Sequence, residues 1–410
     1  MTDTELDPFE QFNRAMGAGT ISDPYPDFVD MRREGISAAS VLQLMGLEPD
    51  ADPGFDLNDV PPLFTASSYD AVQEVLRDGE RFSSSGYADV MGAVMGHTIL
   101  MMDEPEHHAY RSLIQQAFSR KVMETWEHEL VRPIIDACID DFIDTGRAEL
   151  VSQLTFPFPV NVIAGLLGLP REDLPQFHRW TVELISVMID METALRASKS
   201  LEDYLLDFVQ ERRERPGRDL ISVLAQADHD GQQLTDIEII SFCRLLLPAG
   251  AETTYRSSSN LFYGLLTHPS QLDAVRDDRS LVTQAIEEGL RWETPLLTIM
   301  RTVTEDTQVG GVDLPAGAMV VINMGAANRD ETRWERPDEF DIFRAQTGHI
   351  SFASGSHMCL GLHLARMETR AVVDRVLDRL PDLRIDPDAD APYITGMTFR
   401  APPKLPVLFG

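Results

Sequence analysis

The sequence predicts a mainly α-helical fold with a small β region, and three observations support this class. Apolar residues recur with a helical period through much of residues 106–279. Residues typical of strands cluster between positions 296 and 323, on either side of a Gly310-Gly311 turn. A second helical period follows over residues 360–380. We therefore expect a helical body that carries one short β segment.

The elements of the first half follow from local signals. Residues before position 62 are rich in Pro, Asp and Gly, which favours irregular chain with short helices. Residues 62–66 are typical of a strand, and the apolar spacing over residues 71–76 predicts a helix. Turn signals then divide the long helical region at four places. They are Gly146, residues 169–170, residues 216–217 and residues 228–231.

The second half changes character after a helix that is expected to end near Trp292. Residues 302–304 and 319–322 predict strands. Residues 326–348 are charged and aperiodic, which predicts a long loop of the kind that often has a function. The tail, residues 387–410, is interpreted as a hairpin and a strand.

Composition limits the class of protein. The chain has 410 residues and a formal net charge of −32 at pH 7, and this charge argues against binding to nucleic acid or anionic membranes. Its length permits two domains or one large one. No apolar run reaches the roughly 20 residues of a membrane span, and the acidic, polar start lacks a secretory signal pattern, so we expect a cytoplasmic protein. Three scattered cysteines exclude a disulfide framework.

One of those cysteines, Cys359, lies in the segment FASGSHMCLG at the entry to a predicted helix. The amide groups and dipole of a helix start stabilise a thiolate there, as a nucleophile or as a metal ligand. Gly355 and Gly361 leave room for a flat macrocycle close to the backbone. An isolated cysteine without this context would more often be an inert buried thiol.

The segment resembles the haem-binding loop of the cytochrome P450 family, F-x-x-G-x-x-x-C-x-G, at every fixed position. Many bacterial members have a second glycine after the Phe, where this chain has Ala353. The resemblance implies that Cys359 is the axial thiolate ligand of haem b (iron protoporphyrin IX). It also implies that Phe352, Gly355, His357 and Gly361 surround the haem, and that dioxygen is the cosubstrate.

A second family-like segment contains Glu288 and Arg291, which lie on one helix face at i and i+3. The resemblance implies that this pair braces the haem face, and Arg344 is the candidate third member. The same spacing recurs at Glu74 and Arg77 and again at residues 129 and 132, where we interpret it as ordinary solvated pairs.

A third segment, LLLPAGAETT at residues 245–254, resembles the helix that crosses the distal side of the haem in this family. Pro248 removes a helical hydrogen bond and Gly250 permits close backbone approach, so the helix can open locally. Thr253 is then the residue that holds dioxygen or water, and Glu252 relays protons from solvent.

The resemblance also suggests partners for the cofactor and the substrate. Four cationic positions match residues that bind the haem carboxylates, and these are His107, Arg111, Arg301 and His357. The expected substrate pocket is mainly apolar, with His97 as its one suggested polar group. Its other candidate residues are Leu246, Ala249, Leu296, Leu297, Ile299 and Met397.

Taken together, the resemblance implies a single large triangular haem domain over residues 23–410, preceded by an N-terminal extension over residues 1–22. The activity it implies is that of a monooxygenase, an oxidoreductase that inserts one oxygen atom into a hydrophobic organic substrate by hydroxylation, epoxidation or O-dealkylation. The protein is expected to be a monomer. Electrons must come from outside, because the chain shows no flavin or nicotinamide domain, and a ferredoxin with its ferredoxin reductase is the expected donor. A local basic dock is the hypothesis for the ferredoxin, formed by Arg120, Lys121, Arg366 and Arg370.

Three alternatives stay open at this point. The first is a non-catalytic haem protein that senses a gas or another ligand. The second is a helical binding protein without haem. The third is a peroxide-driven enzyme of the same class, against which Glu252 and Thr253 argue mildly.

Overall fold

The computed structural model describes residues 23–40, 60–185, 190–345 and 348–410, together with Arg14, Gly19 and Ile21. In the first half the elements are α1 (Tyr25–Glu34), β1 (Ile36–Ala39), β2 (Leu63–Ala66), α2 (Tyr69–Arg77), β3 (Phe82–Ser83), α3 (Tyr87–Met95), α4 (Glu106–Gln115), α5 (Arg120–Trp126), α6 (Arg132–Asp140), β4 (Arg147–Glu149), α7 (Pro157–Leu166), α8 (Leu174–Ile185), α9 (Met191–Glu214) and α10 (Leu220–Gln226). In the second half they are α11 (Asp236–Thr267), α12 (Pro269–Asp277), α13 (Leu281–Trp292), β5 (Thr298–Val303), β6 (Thr307–Val309), β7 (Val312–Leu314), β8 (Met319–Asn323), α14 (Met324–Ala327), α15 (Leu362–Arg379), β9 (Arg384–Ile385) and β10 (Pro406–Leu408).

The β structure forms three small sheets. The largest has five strands in the order β1-β2-β8-β5-β3, and only the β2–β8 pair in it is parallel. A three-stranded sheet, β4-β10-β9, joins the middle of the chain to its end, and β6 and β7 form a hairpin. Because the largest sheet takes strands from positions 36 to 323, it holds distant parts of the chain together.

The long helix α11 is the centre of the helical body. It starts with a capping box, in which the Thr235 side chain accepts a hydrogen bond from the Glu238 amide and the Glu238 carboxylate accepts one from the Thr235 amide. The helix continues for 32 residues through Pro248, and most of its residues are buried. It packs against α7, α9, α13 and α15, so one helix contacts most of the main apolar core. α11 therefore packs on α15, the helix that the Cys359 segment precedes.

The mainly α class with a small β region is confirmed, and the differences from the expected elements are local. A single helical turn, Met324–Ala327, occupies the start of the expected loop. In the tail, strand β9 begins before residue 387, and the expected hairpin is reduced to a Thr395–Ala401 bridge. No helix among the described residues combines the length and the apolar character that crossing a membrane requires.

The extension over residues 1–22 lies almost wholly outside the described residues. The amide of Gly19 donates to Thr395 Oγ1 over 2.9 Å, and the carbonyl of Ile21 accepts from Gly396 N over 2.9 Å. These bonds attach at least this part of the segment to the C-terminal region, so position 22 does not mark a clean boundary.

Candidate active site

The Cys359 loop is closed by its own backbone. The amide of Cys359 donates to the Phe352 carbonyl over 2.8 Å, and the amide of Met358 donates to the Gly355 carbonyl over 3.1 Å. Gly355 has φ +77°, and a Cβ at this position would lie 2.5 Å from the carbonyl oxygen of Leu76. Gly355 is therefore required for the fit of the loop against α2, and not for macrocycle space as the sequence suggested.

At Gly361 the expectation of open space near the sulfur is supported. Among the described residues, the atom that a Cβ at this glycine would meet within 4 Å is Cys359 Sγ, at 4.0 Å. The expected effect of the helix start on the thiol needs correction, because α15 begins at Leu362, three residues beyond the cysteine. Burial raises the pKa of the Cys359 thiol, while the Gly361 amide, Arg111 and Arg366 oppose that rise. The ionised form therefore needs a further positive partner, which a metal ion supplies.

The four candidate cations are brought close to this loop. The rings of His107 and His357 lie 4.0 Å apart, and the guanidinium of Arg111 donates to the carbonyls of Ser356 and Met358. Burial lowers the pKa of His357 to about 3, and the nearby Arg301, His107 and Arg111 add to this effect. Two guanidinium groups together with two imidazole rings that can donate hydrogen bonds form a site for an anion.

Two buried groups in this cluster lack the partner that a folded protein normally provides. The Nε2 atom of His107 is buried and has no hydrogen-bond partner among the described residues. Arg301 is 5% exposed, and burial lowers its pKa; its contacts in the described chain are the Met300 carbonyl and Tyr87, with no carboxylate within ion-pair distance. A cofactor with carboxylate side arms satisfies both groups, so the residues present fit haem.

The structure brings Glu288, Arg291 and Arg344 together. The Glu288 carboxylate accepts from Arg291 Nε and Nη2, each over 2.8 Å, and Arg344 Nε lies 3.4 Å from Glu288 Oε1. Arg291 also donates to the carbonyls of Pro337 and Glu339 in the long loop. Glu288 and Arg291 are almost fully buried, so the network fixes this loop to α13, and the bracing of the haem face stays a prediction.

On α11, the structure changes the interpretation of the distal residues. Thr253 Oγ1 donates to the Ala249 carbonyl over 2.8 Å, and both residues retain exposure. Glu252 is only 4% exposed and its carboxylate accepts hydrogen bonds from Arg256, and its role as a proton relay stays a prediction. At Gly250, a Cβ would lie 2.7 Å from Ile163 Cδ1, so this glycine allows α7 to pack against α11.

The expected pocket residues divide into two groups. Ala249 is exposed, and Leu296 and Ile299 are half-buried beside the five-stranded sheet. Leu297 is fully buried in a separate cluster with Tyr25 and Phe28, against which Met397 also packs, so Leu297 does not face open space.

The two remaining pocket candidates are Leu246 and His97. Leu246 is 9% exposed within the main core. The His97 side chain is 56% exposed and bonds Glu106 over 2.8 Å, which removes the support for it as the polar group of the pocket. The sequence does not reveal which side of a strand or loop faces the pocket, because that depends on tertiary packing.

The expected basic dock is weaker than the sequence suggested. Arg366 is bonded through two nitrogens to Glu287, each over 2.7 Å, which neutralises its charge. Arg120 pairs with Glu124, and Arg370 donates to the Thr283 hydroxyl. Lys121 is the member that is exposed and for which the described chain shows no ion pair.

Two buried ionisable residues, one on α11 and one on α15, were missed by the sequence analysis. Arg256, the partner of Glu252, is signalled by its i+4 spacing. Glu368 on α15 is 1% exposed and its Oε1 atom has no hydrogen-bond partner in the described chain. Burial raises the pKa of Glu368 to about 8, against a hydrogen bond with Thr254. No sequence signal marks Glu368, because its burial depends on the docking of α15 against α11.

Comparison with known proteins identifies the family to which the chain belongs. The family model for Cytochrome P450 matches residues 176–406. The chain is 38% identical over 346 residues to Cytochrome P450 107B1 of Saccharopolyspora erythraea, which covers 82% of each chain. It is 34% identical over 354 residues to a Steroid C26-monooxygenase of Mycolicibacterium smegmatis, covering 85% of this chain and 88% of that one. The crystal structure of CYP109E1 from Bacillus megaterium in complex with testosterone superposes with a TM-score of 0.82 at 32% identity, covering 95% and 99% of the two chains.

A mainly helical fold, with a cysteine loop beside a cluster of two arginines and two histidines, fits a haem-thiolate enzyme. The chain belongs to the cytochrome P450 family. It is therefore an oxidoreductase of the monooxygenase type whose cofactor is haem b and whose cosubstrate is dioxygen.

Proposed function

We propose that the protein inserts one atom of dioxygen into a hydrophobic small molecule of terpenoid, aromatic or steroid type, with electrons from a ferredoxin and its ferredoxin reductase. The observation that carries this proposal is that His107 Nε2 has no hydrogen-bond partner and Arg301 has no carboxylate partner among the described residues, in a cluster with His357 of the Cys359 loop. Haem held by a thiolate supplies reductive activation of dioxygen when it is bound.

In this proposal each of the chain's own residues has one role. Cys359 holds the iron, with the Gly361 amide directed at its sulfur. His107, Arg111, Arg301 and His357 hold the carboxylate side arms. Thr253 positions dioxygen or water by its hydroxyl, and Glu252 hands protons to that region. The Glu288 network holds the loop behind the site.

The proposed substrate class rests on the apolar character of the half-buried positions Leu296, Ile299 and Met397. The names of two similar proteins are consistent with this substrate class. One is a Steroid C26-monooxygenase, and the other is CYP109E1 in complex with testosterone. Testosterone is therefore the first probe, although the natural substrate is a separate question that a wider panel answers.

The experiment is turnover of testosterone with a bacterial ferredoxin and ferredoxin reductase under isotopically labelled dioxygen. A product with one labelled oxygen atom supports the proposal. Formation of no oxygenated product from any compound of a terpenoid, aromatic and steroid panel, despite reduction of the haem, overturns it in favour of a ligand sensor.

The electron donor is tested by charge reversal at the surface. Lys121→Glu is expected to slow reduction by ferredoxin severalfold at low ionic strength, because a docking contact then becomes repulsive. Lys404→Glu is the matched control, since it makes the same charge change at an exposed position beside the three-stranded sheet. Equal reduction rates in both variants and the wild type would remove Lys121 from the proposed dock.

A further inference from the structure

The turn at residues 395–401 carries two half-buried apolar side chains, Met397 and Phe399. Phe399 forms a backbone bridge with Leu296, and both Leu296 and Met397 are expected pocket residues. The two ends of the turn are joined by an isolated bridge, and not by a strand of one of the three sheets. The position of these apolar side chains therefore depends on the contacts that hold the turn to the surrounding chain.

The second end of the turn is held by a buried ion pair. Arg400 is 2% exposed, and its Nε atom donates to Glu293 Oε1 over 2.6 Å. Its Nη1 atom donates to the Gly396 carbonyl over 2.6 Å, so the same side chain reaches back across the turn. Asn260 of α11 donates to the carbonyls of both Glu293 and Arg400. The orientation of the Glu293 carboxylate therefore controls the path of the turn.

Tyr25 of α1 helps to fix that carboxylate. Its hydroxyl donates over 2.8 Å to Glu293 Oε1, the oxygen that also accepts from Arg400. The guanidinium carbon of Arg329 lies 3.3 Å from the ring centroid of Tyr25, and Arg329 Nη2 lies 3.4 Å from Glu293 Oε2. Because these groups are buried, a lost hydrogen bond is not replaced by one to bulk water. A helix near the start of the chain thus acts on a turn near its end.

The first end of the turn is held by the chain that precedes α1. The Thr395 hydroxyl donates to the Ile21 carbonyl over 2.7 Å and accepts from the Gly19 amide over 2.9 Å. The Gly396 amide donates to the same Ile21 carbonyl over 2.9 Å. Gly396 has φ +104°, a conformation that suits glycine and lets the turn bend at this point. Both ends of the turn are therefore attached to the first 25 residues of the chain.

We propose that Ile21 and Tyr25 are positioning residues for the substrate pocket, and that they determine its specificity without contacting the substrate. Tyr25 acts through Glu293 on one end of the turn, and Ile21 acts through Thr395 on the other. A loosened turn lets its apolar side chains occupy more positions, so the substrate binds less tightly and in more than one orientation. The proposal rests on the proposed monooxygenase function.

Two variants of the full-length holoenzyme release the two ends separately. Tyr25→Phe removes the hydroxyl that bonds Glu293 but keeps the ring beneath Arg329. Thr395→Val removes the hydroxyl that bonds residues 19 and 21. Since the second variant leaves Tyr25 intact, the proposal stays testable if the first does not fold.

Each variant has a control with the same chemical change elsewhere. Tyr69 is also buried, and its hydroxyl donates to the Gly348 carbonyl over 2.8 Å. Thr369 is 3% exposed, and its hydroxyl donates to the Ala365 carbonyl of its own helix over 2.8 Å. Tyr69→Phe and Thr369→Val therefore lose a comparable hydrogen bond without releasing the turn.

The first readout is amide hydrogen exchange of a peptide that covers residues 395–401. Tyr25→Phe and Thr395→Val are expected to exchange severalfold faster there than the wild type, because local opening of the turn becomes easier. Tyr69→Phe and Thr369→Val are expected to match the wild type over the same residues. Wild-type exchange in both test variants would overturn the proposal.

The second readout separates control of specificity from a purely structural role. Testosterone is expected to bind severalfold more weakly to Tyr25→Phe and Thr395→Val, and its oxidation is expected to give a larger share of minor products. The carbon monoxide band and the haem content should equal those of the wild type. Faster exchange with unchanged testosterone affinity and unchanged product ratio would show that the anchors serve stability alone, which overturns the proposal.

Failure of the proposed function gives a different result. In that case the wild type oxidises no compound of the terpenoid, aromatic and steroid panel, whatever the variants do. The exchange measurement needs no turnover, so it still decides whether Ile21 and Tyr25 hold the turn.

Discussion

Glu368 gives the sharpest stability prediction, because the structure buries its carboxyl completely and leaves Oε1 without a partner in the described chain. Burial raises the pKa of this group from 4.5 to about 8. In the folded protein Glu368 therefore keeps its proton at pH values where the unfolded chain has released it. Unfolding then releases a proton, so the free energy of unfolding falls as the pH rises from 4.5 to 8.

The size of the effect follows from the two pKa values of Glu368. The pKa of Glu368 in the folded protein exceeds its ordinary value by 8 − 4.5 = 3.5. Since one pKa unit corresponds to about 1.4 kcal/mol, this difference corresponds to about 5 kcal/mol of folding stability. At pH 7 the same relation, over 7 − 4.5 = 2.5, gives about 3 kcal/mol. Glu368→Gln keeps the shape but removes the titration, so its advantage over the wild type grows with pH through this window and is constant above it.

The assay is denaturant unfolding of the wild type and Glu368→Gln at pH 5, 6, 7 and 8. The control is Glu305→Gln, an exposed position of the same residue type, for which the stability difference is expected to be small at every pH. A difference between Glu368→Gln and the wild type that does not grow from pH 5 to pH 8 would refute the reasoning. It would mean that the folded protein stabilises the ionised carboxylate of Glu368.

Three further substitutions test the loop and the brace. Ala353 has φ +58°, a backbone conformation that glycine adopts without strain, so Ala353→Gly should raise the free energy of unfolding by up to about 1 kcal/mol in denaturant titration. Gly355→Ala places a Cβ 2.5 Å from the Leu76 carbonyl oxygen at φ +77°, and haem content should fall strongly in the purified protein; full haem content would contradict this geometry. Arg291→Met leaves the buried Glu288 carboxylate short of its main partner, and thermal and denaturant unfolding should show a loss of about 3–5 kcal/mol.

The sequence predicted the parts of the site that depend on local spacing. The Cys359 loop follows from its motif, and Glu288 with Arg291 follows from i, i+3 geometry on one helix. The same spacing failed at Glu74 and Arg77, because Glu74 pairs with Arg81 beyond the end of the helix. Helix spacing states which pairs are possible, and tertiary packing decides which of them form.

The rest of the site depended on contacts between distant elements. Leu297 was expected in the pocket but packs with Tyr25, because the local sequence before β5 does not tell which side chains face the core. The charge of Arg366 is neutralised by Glu287, which lies 79 positions earlier in the chain. Burial of Glu368 arises only when α15 docks on α11. None of these contacts leaves a signal in the neighbouring residues of the sequence.

The most direct test of the central claim is the absorption spectrum of the reduced protein with carbon monoxide, because the band position reports the ligand opposite the gas. With Cys359 as the thiolate ligand of haem, the wild type gives a strongly red-shifted band, and Cys359→Ala loses it. A short-wavelength band in the wild type, or a protein that binds no haem, would contradict the assignment of Cys359 and of the site built around it.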